Sequence, residues 1–320
     1  MMPDHCPNRR QRPLPKILTV VEFAHRFGEE AACLEHLRNI RWGPGLERFA
    51  CPHCGHGRGW WLARRQLVEC RDCHHQTSVT AGTVFHRQRS PLWKWFWAVY
   101  QLAQDKKGVA ALELAKQIGV CYGTAWLMLH KLRRAMRRAN QAAILEGLVE
   151  VDETYVGGSA EDSGTTGRGS ANKTPVAIAV ELDQGRPRRV ALRRLERVDG
   201  HCLRRFARAA IRRGSTLRTD GWGSYRRVVE AGYEHEAIVT GGGQKAIVRF
   251  PWLHTFVGNL KRMILGTYHR ASPKHLDGYL AEFAFRANHR WQEANLFDCL
   301  LRAAANSKAV TYRQLVTGAS

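Results

Sequence analysis

The chain has 320 residues, enough for several domains with cores of their own, and sets 50 Lys and Arg against 28 Asp and Glu for a net charge of +22. That balance names a polyanion as partner, and without an apolar run of eighteen residues or an amphipathic lipid anchor it points to nucleic acid rather than a membrane. Nine cysteines in a long chain with no secretory signal at its start argue against a disulfide scaffold and lead us to expect a reducing cytosol.

Residues 1–15 are rich in Pro and Arg, lack periodicity, and are expected to be disordered. In residues 16–48 the apolar positions Val21, Phe23, Ala24 and Phe27, then Ala31, Leu34, Leu37 and Ile40, have helical spacing with a break near Gly28, predicting two short helices. Residues 49–80 contain Cys51-x-x-Cys54 and, fifteen residues later, Cys70-x-x-Cys73. Each pair presents two thiolates on a tight turn, and two pairs close a tetrahedral Zn²⁺ site, so this segment is read as a structural zinc ribbon. Within residues 81–145, Ser90-Pro91 opens an aromatic-rich helix to Gln104. Ala111 to Met128 then reads as helix, turn at Gly119, and second helix, the pattern of a DNA-binding helix-turn-helix. Thr124, His130, Lys131 and Arg134 on the second helix and its extension are the candidate DNA contacts.

From Leu148 the chain alternates apolar and polar residues through Val151-Asp152-Glu153-Thr154-Tyr155-Val156 and stops at Gly157-Gly158, a strand with Asp152 near its end. After a Gly/Ser/Thr-rich loop to Lys173 come strands at Pro175–Glu181 and Arg189–Arg193, joined by a turn at Asp183-Gln184-Gly185. A helix from about Asp199 to Arg213, a strand Ser215–Thr219 ending at Asp220, a helix Ser224–Ala231 and a strand Glu236–Val239 complete a β-β-β-α-β-α-β-α order, that of a ribonuclease-H-like fold. Two carboxylates at two strand ends suit shared divalent metal and phosphoryl transfer. Eleven arginines between Arg186 and Arg213, against only Glu196 and Asp199, favour a DNA track. Thr240–Lys245 lacks the Gly-Lys-Ser/Thr ending of a phosphate loop, so nucleotide binding is not expected. A helix from Trp252 to Leu265 carries His254 and Lys261 two turns apart on one side, with Asn259 nearby; His254 or Asn259 is a candidate third metal ligand.

Taken together, the two cysteine pairs, the helix-turn-helix, Val151 to Gly158, Thr219-Asp220-Gly221, His254 through Asn259-Leu260-Lys261-Arg262 to His269, and Tyr279 to Arg290 resemble a bacterial insertion-sequence transposase of the DDE class, in the zinc-ribbon group called the fifteen-ninety-five family. The resemblance spans about Leu18 to Arg290. It implies a multidomain α+β and α/β protein: zinc ribbon and helix-turn-helix, then a ribonuclease-H-like (DDE transposase/integrase) catalytic domain over residues 146–290, with a C-terminal tail at 291–320. It also implies Mg²⁺ (or Mn²⁺) on Asp152, Asp220 and His254 or Asn259, Lys261 and Arg262 near phosphates, and cleavage followed by strand transfer. Its partners would be double-stranded DNA, as terminal inverted repeats and target, and a second copy in a homodimer or higher assembly, in a bacterial cytoplasm on the nucleoid. The chain departs from the wider DDE pattern 34 residues after Asp220, where His254 stands in place of a third carboxylate. A regulator that binds DNA with a decayed nuclease domain is the rival expectation.

Overall fold

The computed structural model describes residues 17–157, 173–238, 248–269 and 271–317. The tail 1–15, nearly all of the loop after Gly157, and Thr240–Lys245 lie outside them.

Helix α1 (Val20–Phe27) opens on a reciprocal cap: the Glu22 N–H donates to Thr19 Oγ1 at 3.1 Å and the Thr19 N–H to Glu22 Oε2 at 2.9 Å. Helix α2 (Glu30–Trp42) follows, separated from α1 at Gly28 as expected. The zinc ribbon is an antiparallel three-stranded sheet, β1 (Gly59–Leu62), β2 (Leu67–Cys70) and β3 (Gln76–Ser78). Helix α3 spans Leu92–Gln104, but Ser90 does not cap it. The free N–H groups of Leu92 and Trp93 donate instead to the Glu30 carboxylate, at 2.7 and 3.1 Å, so α2 supplies the cap from across the core. Helix α4 (Ala111–Ile118) and helix α5 (Tyr122–Gln141) meet at Gly119, which takes the left-handed conformation (φ 60°, ψ 56°) that a side chain would resist.

The second body is a mixed five-stranded sheet in the order β6-β5-β4-β7-β8, with β4 Leu148–Val156, β5 Thr174–Asp183, β6 Arg186–Arg194, β7 Thr216–Thr219 and β8 Glu234–Ala237. The first three strands are antiparallel neighbours, and β7 and β8 run parallel to β4, which is ribonuclease-H-like topology. Helix α6 (Gly200–Ala210) and the short α7 (Arg226–Val229) flank β7 in sequence; α8 (Pro251–Met263) and α9 (Pro273–Asn288) follow β8. Alternation splits the apolar residues between two cores. Val149, Val151, Ala177, Ala179 and Leu217 pack on α6, whereas Val176, Ile178 and Val180 pack on α8 and α9.

Residues 291–320, read from sequence as a tail, instead contain α10 (Leu296–Asn306) and α11 (Tyr312–Thr317). The apolar side of α10 returns to the N-terminal body: Phe297 lies 5.3 Å from Phe27 and 5.9 Å from Phe96, ring centre to ring centre. The pattern Leu296, Phe297, Leu300, Leu301, Ala304 was present in the sequence, and its burial explains it.

The two bodies join through a buried ion pair. Arg133 on α5 donates to Glu282 on α9 at 2.7 Å, with both side chains 2 % exposed or less. Burial alone pushes the Glu282 carboxyl up, but Arg133 and Arg286 overrule it and hold it below the ordinary carboxylate range. Removing one partner strands the other charge in the interior. Glu282→Ala is therefore expected to cost about 3–5 kcal/mol, and Arg133→Met combined with Glu282→Leu to recover most of that loss. Denaturant titration of the three proteins checks both; a single variant as stable as wild type would show the pair to be dispensable.

Candidate active site and metal centre

The two cysteine knuckles are built alike. Gly55 N–H donates to the Cys51 carbonyl at 2.9 Å and His74 N–H to the Cys70 carbonyl at 3.2 Å. Each turn ends on a left-handed residue, Gly55 (φ 76°) and His74 (φ 56°). The four sulfurs lie within 4.8 Å of one another, with Cys51 to Cys73 and Cys54 to Cys70 each 3.6 Å. A tetrahedral Zn²⁺ with Zn–S bonds of about 2.3 Å spaces its sulfurs about 3.8 Å apart, so the cradle has the right size and donor set.

Pairing across the central sheet decides where the aspartates go. In the parallel β4/β7 ladder Leu148 faces Thr216 and Glu150 faces Arg218, so continuing the register by two residues brings Asp152 level with Asp220. Asp152 is paired with Ile178 on β5, and Ile178 belongs to the core under α8 and α9; both carboxylates thus rise on the α8 face. Asp152 Oδ1 accepts from its neighbour's N–H (Glu153) at 2.8 Å, and Asp220 Oδ1 accepts from the Trp222 N–H at 3.1 Å. Tyr225 reports on the whole cluster. Burial raises its hydroxyl pKa far above the usual range, and Glu153, Asp152 and Asp220 add to that; the hydroxyl donates to Glu153 Oε2 at 3.1 Å.

Beneath the aspartates lies a second rung. Arg218 contacts Glu150 at 3.9 Å and Glu236 at 3.1 Å, tying β4, β7 and β8 together. Glu150 is 1 % exposed. Burial pushes its carboxyl up to about 7 against the pull of Arg218 and of the Leu253 N–H in the first turn of α8. Sequence reasoning passed over Glu150, although strand alternation put a carboxylate on the same covered face as Asp152. Tyr225 and Arg218 had no such local signal.

Leu253's proximity to Glu150 places the start of α8 over the carboxylate-bearing strand, and His254 is the next residue. Its imidazole is partly buried, and burial first, then Lys261, lower its pKa and favour the neutral form that can ligate. Asn259 is directed elsewhere. Five positions on, it lies about 140° round the helix, accepts from Arg262 Nη2 at 2.6 Å, and lines a separate cavity of about 830 Å³ with Arg262, Lys107 and Arg286. Of the two candidates for third ligand, only His254 is on the side of Lys261. Among the described residues, the four cysteines are the only His, Cys, Asp and Glu group of three or more close enough to hold an ion, so His254 is not drawn tight against Asp152 and Asp220.

The helix-turn-helix residues need correction. His130 and Lys131 are 5 % and 8 % exposed. His130 packs on Trp126 and His275, with ring centres 4.1 and 5.0 Å away, and Lys131 lies over Trp95. Both were expected on a DNA-facing side, but α5 is covered along most of its length by α4, α9 and α10, which turns these two positions inward. Thr124 and Arg134 are partly exposed. Helix α5 is open at its two ends: at the first turn, Cys121 to Thr124, where Tyr122 stands 57 % exposed, and at Arg138 and Gln141.

With this geometry in view, residues 144–288 match the family model for the ISXO2-like transposase domain, and residues 28–76 match that for the transposase zinc-ribbon domain. No curated protein matches the chain. Among solved structures, the chain resembles a pre-cleavage Mos1 transpososome at 14 % identity, covering 66 % of this chain and 79 % of that one with a TM-score of 0.27. It also resembles the Mos1 mariner paired-end complex with Mn at 15 % identity, covering 64 % and 78 %, TM-score 0.27. At that TM-score the overlap supports no structural argument, and the fold assignment rests on the strand order above.

Because the four sulfurs are already gathered, purified reduced protein is expected to hold about one tightly bound Zn²⁺ per chain, lost in Cys70→Ser together with the ribbon's structure. Elemental analysis with circular dichroism tests this; zinc-free wild-type protein with an intact ribbon would refute it.

Proposed function

Since the chain belongs to the zinc-ribbon family of insertion-sequence transposases, we propose that it binds the terminal inverted repeats of its element and cuts and rejoins DNA at Asp152 and Asp220. The observation that carries this reading is the β4/β7 register, which gives two carboxylates one level and one face. Carboxylate oxygens suit Mg²⁺ or Mn²⁺, with the neutral His254 imidazole as third ligand at one negative charge less than three carboxylates. A divalent ion bound there would lower the pKa of water and neutralise charge developing on the phosphodiester.

The protein's own groups have definable parts. Asp152 is fixed by the Glu153 N–H and Asp220 by the Trp222 N–H, so neither carboxylate needs to reorganise when DNA arrives. Glu150 and Arg218 brace the strands below and hold the first turn of α8, and with it His254, at the sheet. Lys261, exposed on the His254 side, is suited to a phosphate oxygen. Water attacks phosphorus first and releases a 3′-hydroxyl; that hydroxyl then attacks a target phosphodiester, and the target's 3′ oxygen leaves. The exposed first turn of α5, with Thr124 and Tyr122, and the zinc ribbon supply end recognition, because a groove-reading helix makes its base contacts with its N-terminal residues. Cutting two ends together calls for two copies on DNA.

The rival, a DNA-binding regulator, draws on His254 standing where the wider class has a carboxylate. Asp152→Asn and Asp220→Asn separate the two readings. Each removes a charge at nearly constant size, so folding and binding to the element's ends should persist while cleavage falls roughly 100-fold or more. His254→Ala should be nearly as damaging and Asn259→Ala mild. Wild-type protein that binds its ends yet cleaves no better than Asp152→Asn with either Mg²⁺ or Mn²⁺ would leave the regulator standing.

A further inference from the structure

The catalytic proposal uses one face of the sheet and leaves the arginine-rich stretch from Arg186 to Arg213 unexplained. The structure divides that stretch into two kinds of residue. Arg188 pairs with Glu181 at 3.2 Å, Arg197 with Asp199 at 3.4 Å, Arg205 with Glu196 at 2.9 Å and Arg212 with Glu146 at 3.2 Å; these tie loops and strands together. Arg193, Arg204, Arg208 and Arg213 have no carboxylate within ion-pair distance among the described residues.

Arg186 and Arg189 also lack a carboxylate partner among the described residues, but it is the arginines around α6 that gather on one side. Helix α6 buries Cys202, Leu203, Phe206 and Ala207 against the sheet, which turns His201, Arg204, Arg205 and Arg208 outward. They line an open cleft of about 330 Å³. Arg193 is paired with Ala177, whose side chain belongs to the same α6 core, so it leans to that side too. Like charges gathered this way repel, and a regularly spaced polyanion relieves the repulsion. Arg204 and Arg208 are one helical turn apart, so both can reach along one phosphodiester strand.

We infer that the outer face of α6 is a second duplex-DNA track, gripping backbone phosphates through Arg204 and Arg208 on the side of the sheet opposite Asp152 and Asp220. It rests on the transposase reading only for the choice of DNA among polyanions. The sheet and its α6 core lie between the two faces, so the duplex on α6 is a different segment from the one being cut. Guanidinium groups on an open helix face meet phosphate oxygens rather than base edges, so this track is indifferent to sequence.

The test uses full-length protein and a random-sequence duplex, with affinity followed by fluorescence anisotropy across a salt series. Arg204→Ala combined with Arg208→Ala should keep the wild-type melting temperature, because both side chains lie on the outer side of α6. It should lower the magnitude of the log K against log salt slope by about 1.8, two phosphate contacts at about 0.9 each. A slope equal to wild type overturns the proposal. In the unmutated chain, a duplex with photoreactive phosphate groups should crosslink to the peptide containing His201 to Ala209; crosslinks confined to the zinc ribbon and the Tyr122 turn overturn it as well. Neither readout depends on cleavage, so an inactive nuclease would sink the catalytic reading and leave this one to be judged separately.

Discussion

The arrangement of the whole molecule depends on one desolvated charge pair. Arg133 and Glu282 are 2.7 Å apart in the interior; Tyr268 donates to Glu282 at 2.7 Å, Arg286 approaches it at 3.5 Å, and the Tyr279 ring lies 4.4 Å from the Arg133 guanidinium, whose Nη2 is buried without a hydrogen-bond partner among the described residues. Such a pair gains little net stability over well-packed apolar residues but tolerates almost no displacement, so it fixes register more than it adds strength. Gly108 shows how tight the junction is. With φ at +86°, a methyl group there would sit 2.1 Å from the Tyr268 hydroxyl and 2.7 Å from Glu282, so the loop between α3 and α4 can cross only as glycine. Four segments remote in sequence thereby lock α5 of the N-terminal body to α9 of the nuclease body.

The same logic of charge paired across strands recurs under the candidate active site. Antiparallel β4 and β5 set which face Asp152 takes, and the parallel step to β7 sets its height relative to Asp220. Glu150, Arg218 and Glu236 then occupy the next rung down, a carboxylate, a guanidinium and a carboxylate on three adjacent strands. The Leu253 N–H at the start of α8 and Arg218 offset part of the cost of burying Glu150, but burial outweighs them and raises its carboxyl above the ordinary range. The site is therefore assembled from the sheet upward, with the aspartates on top of a braced layer.

What was legible in the sequence was whatever depends on near neighbours. Period-2 alternation located β4, short runs between turns and helices located β5, β6 and β7 and placed β8 two residues late, cysteine spacing located the ribbon, and Gly119 marked the turn between α4 and α5. What was not legible depends on distant partners. The α3 cap comes from Glu30, some sixty positions away, and no local pattern announces it. His130, Lys131 and Arg133 read as a basic surface because basic residues usually are one; only the packing of α9 and α10 over α5 turns them inward. The α10 periodicity was visible, but nothing in it tells that its apolar side belongs to a core begun at Phe23.

That burial limits how α4 and α5 could serve as the helix-turn-helix expected from the sequence. A recognition helix must protrude far enough to enter a groove, and α5, at 20 residues, is long enough to do so but is enclosed for most of its length. Its N-terminal turn, Cys121 to Thr124, is open, and it is held at a fixed attitude by the Arg133 lock three turns further along. Any duplex that meets this turn is thereby oriented relative to the sheet that carries Asp152, because no flexible linker separates the two bodies at α5 and α9. The attitude of that turn relative to the sheet is then a property of the packed core, and a substitution at Gly108 or Glu282 would disturb it.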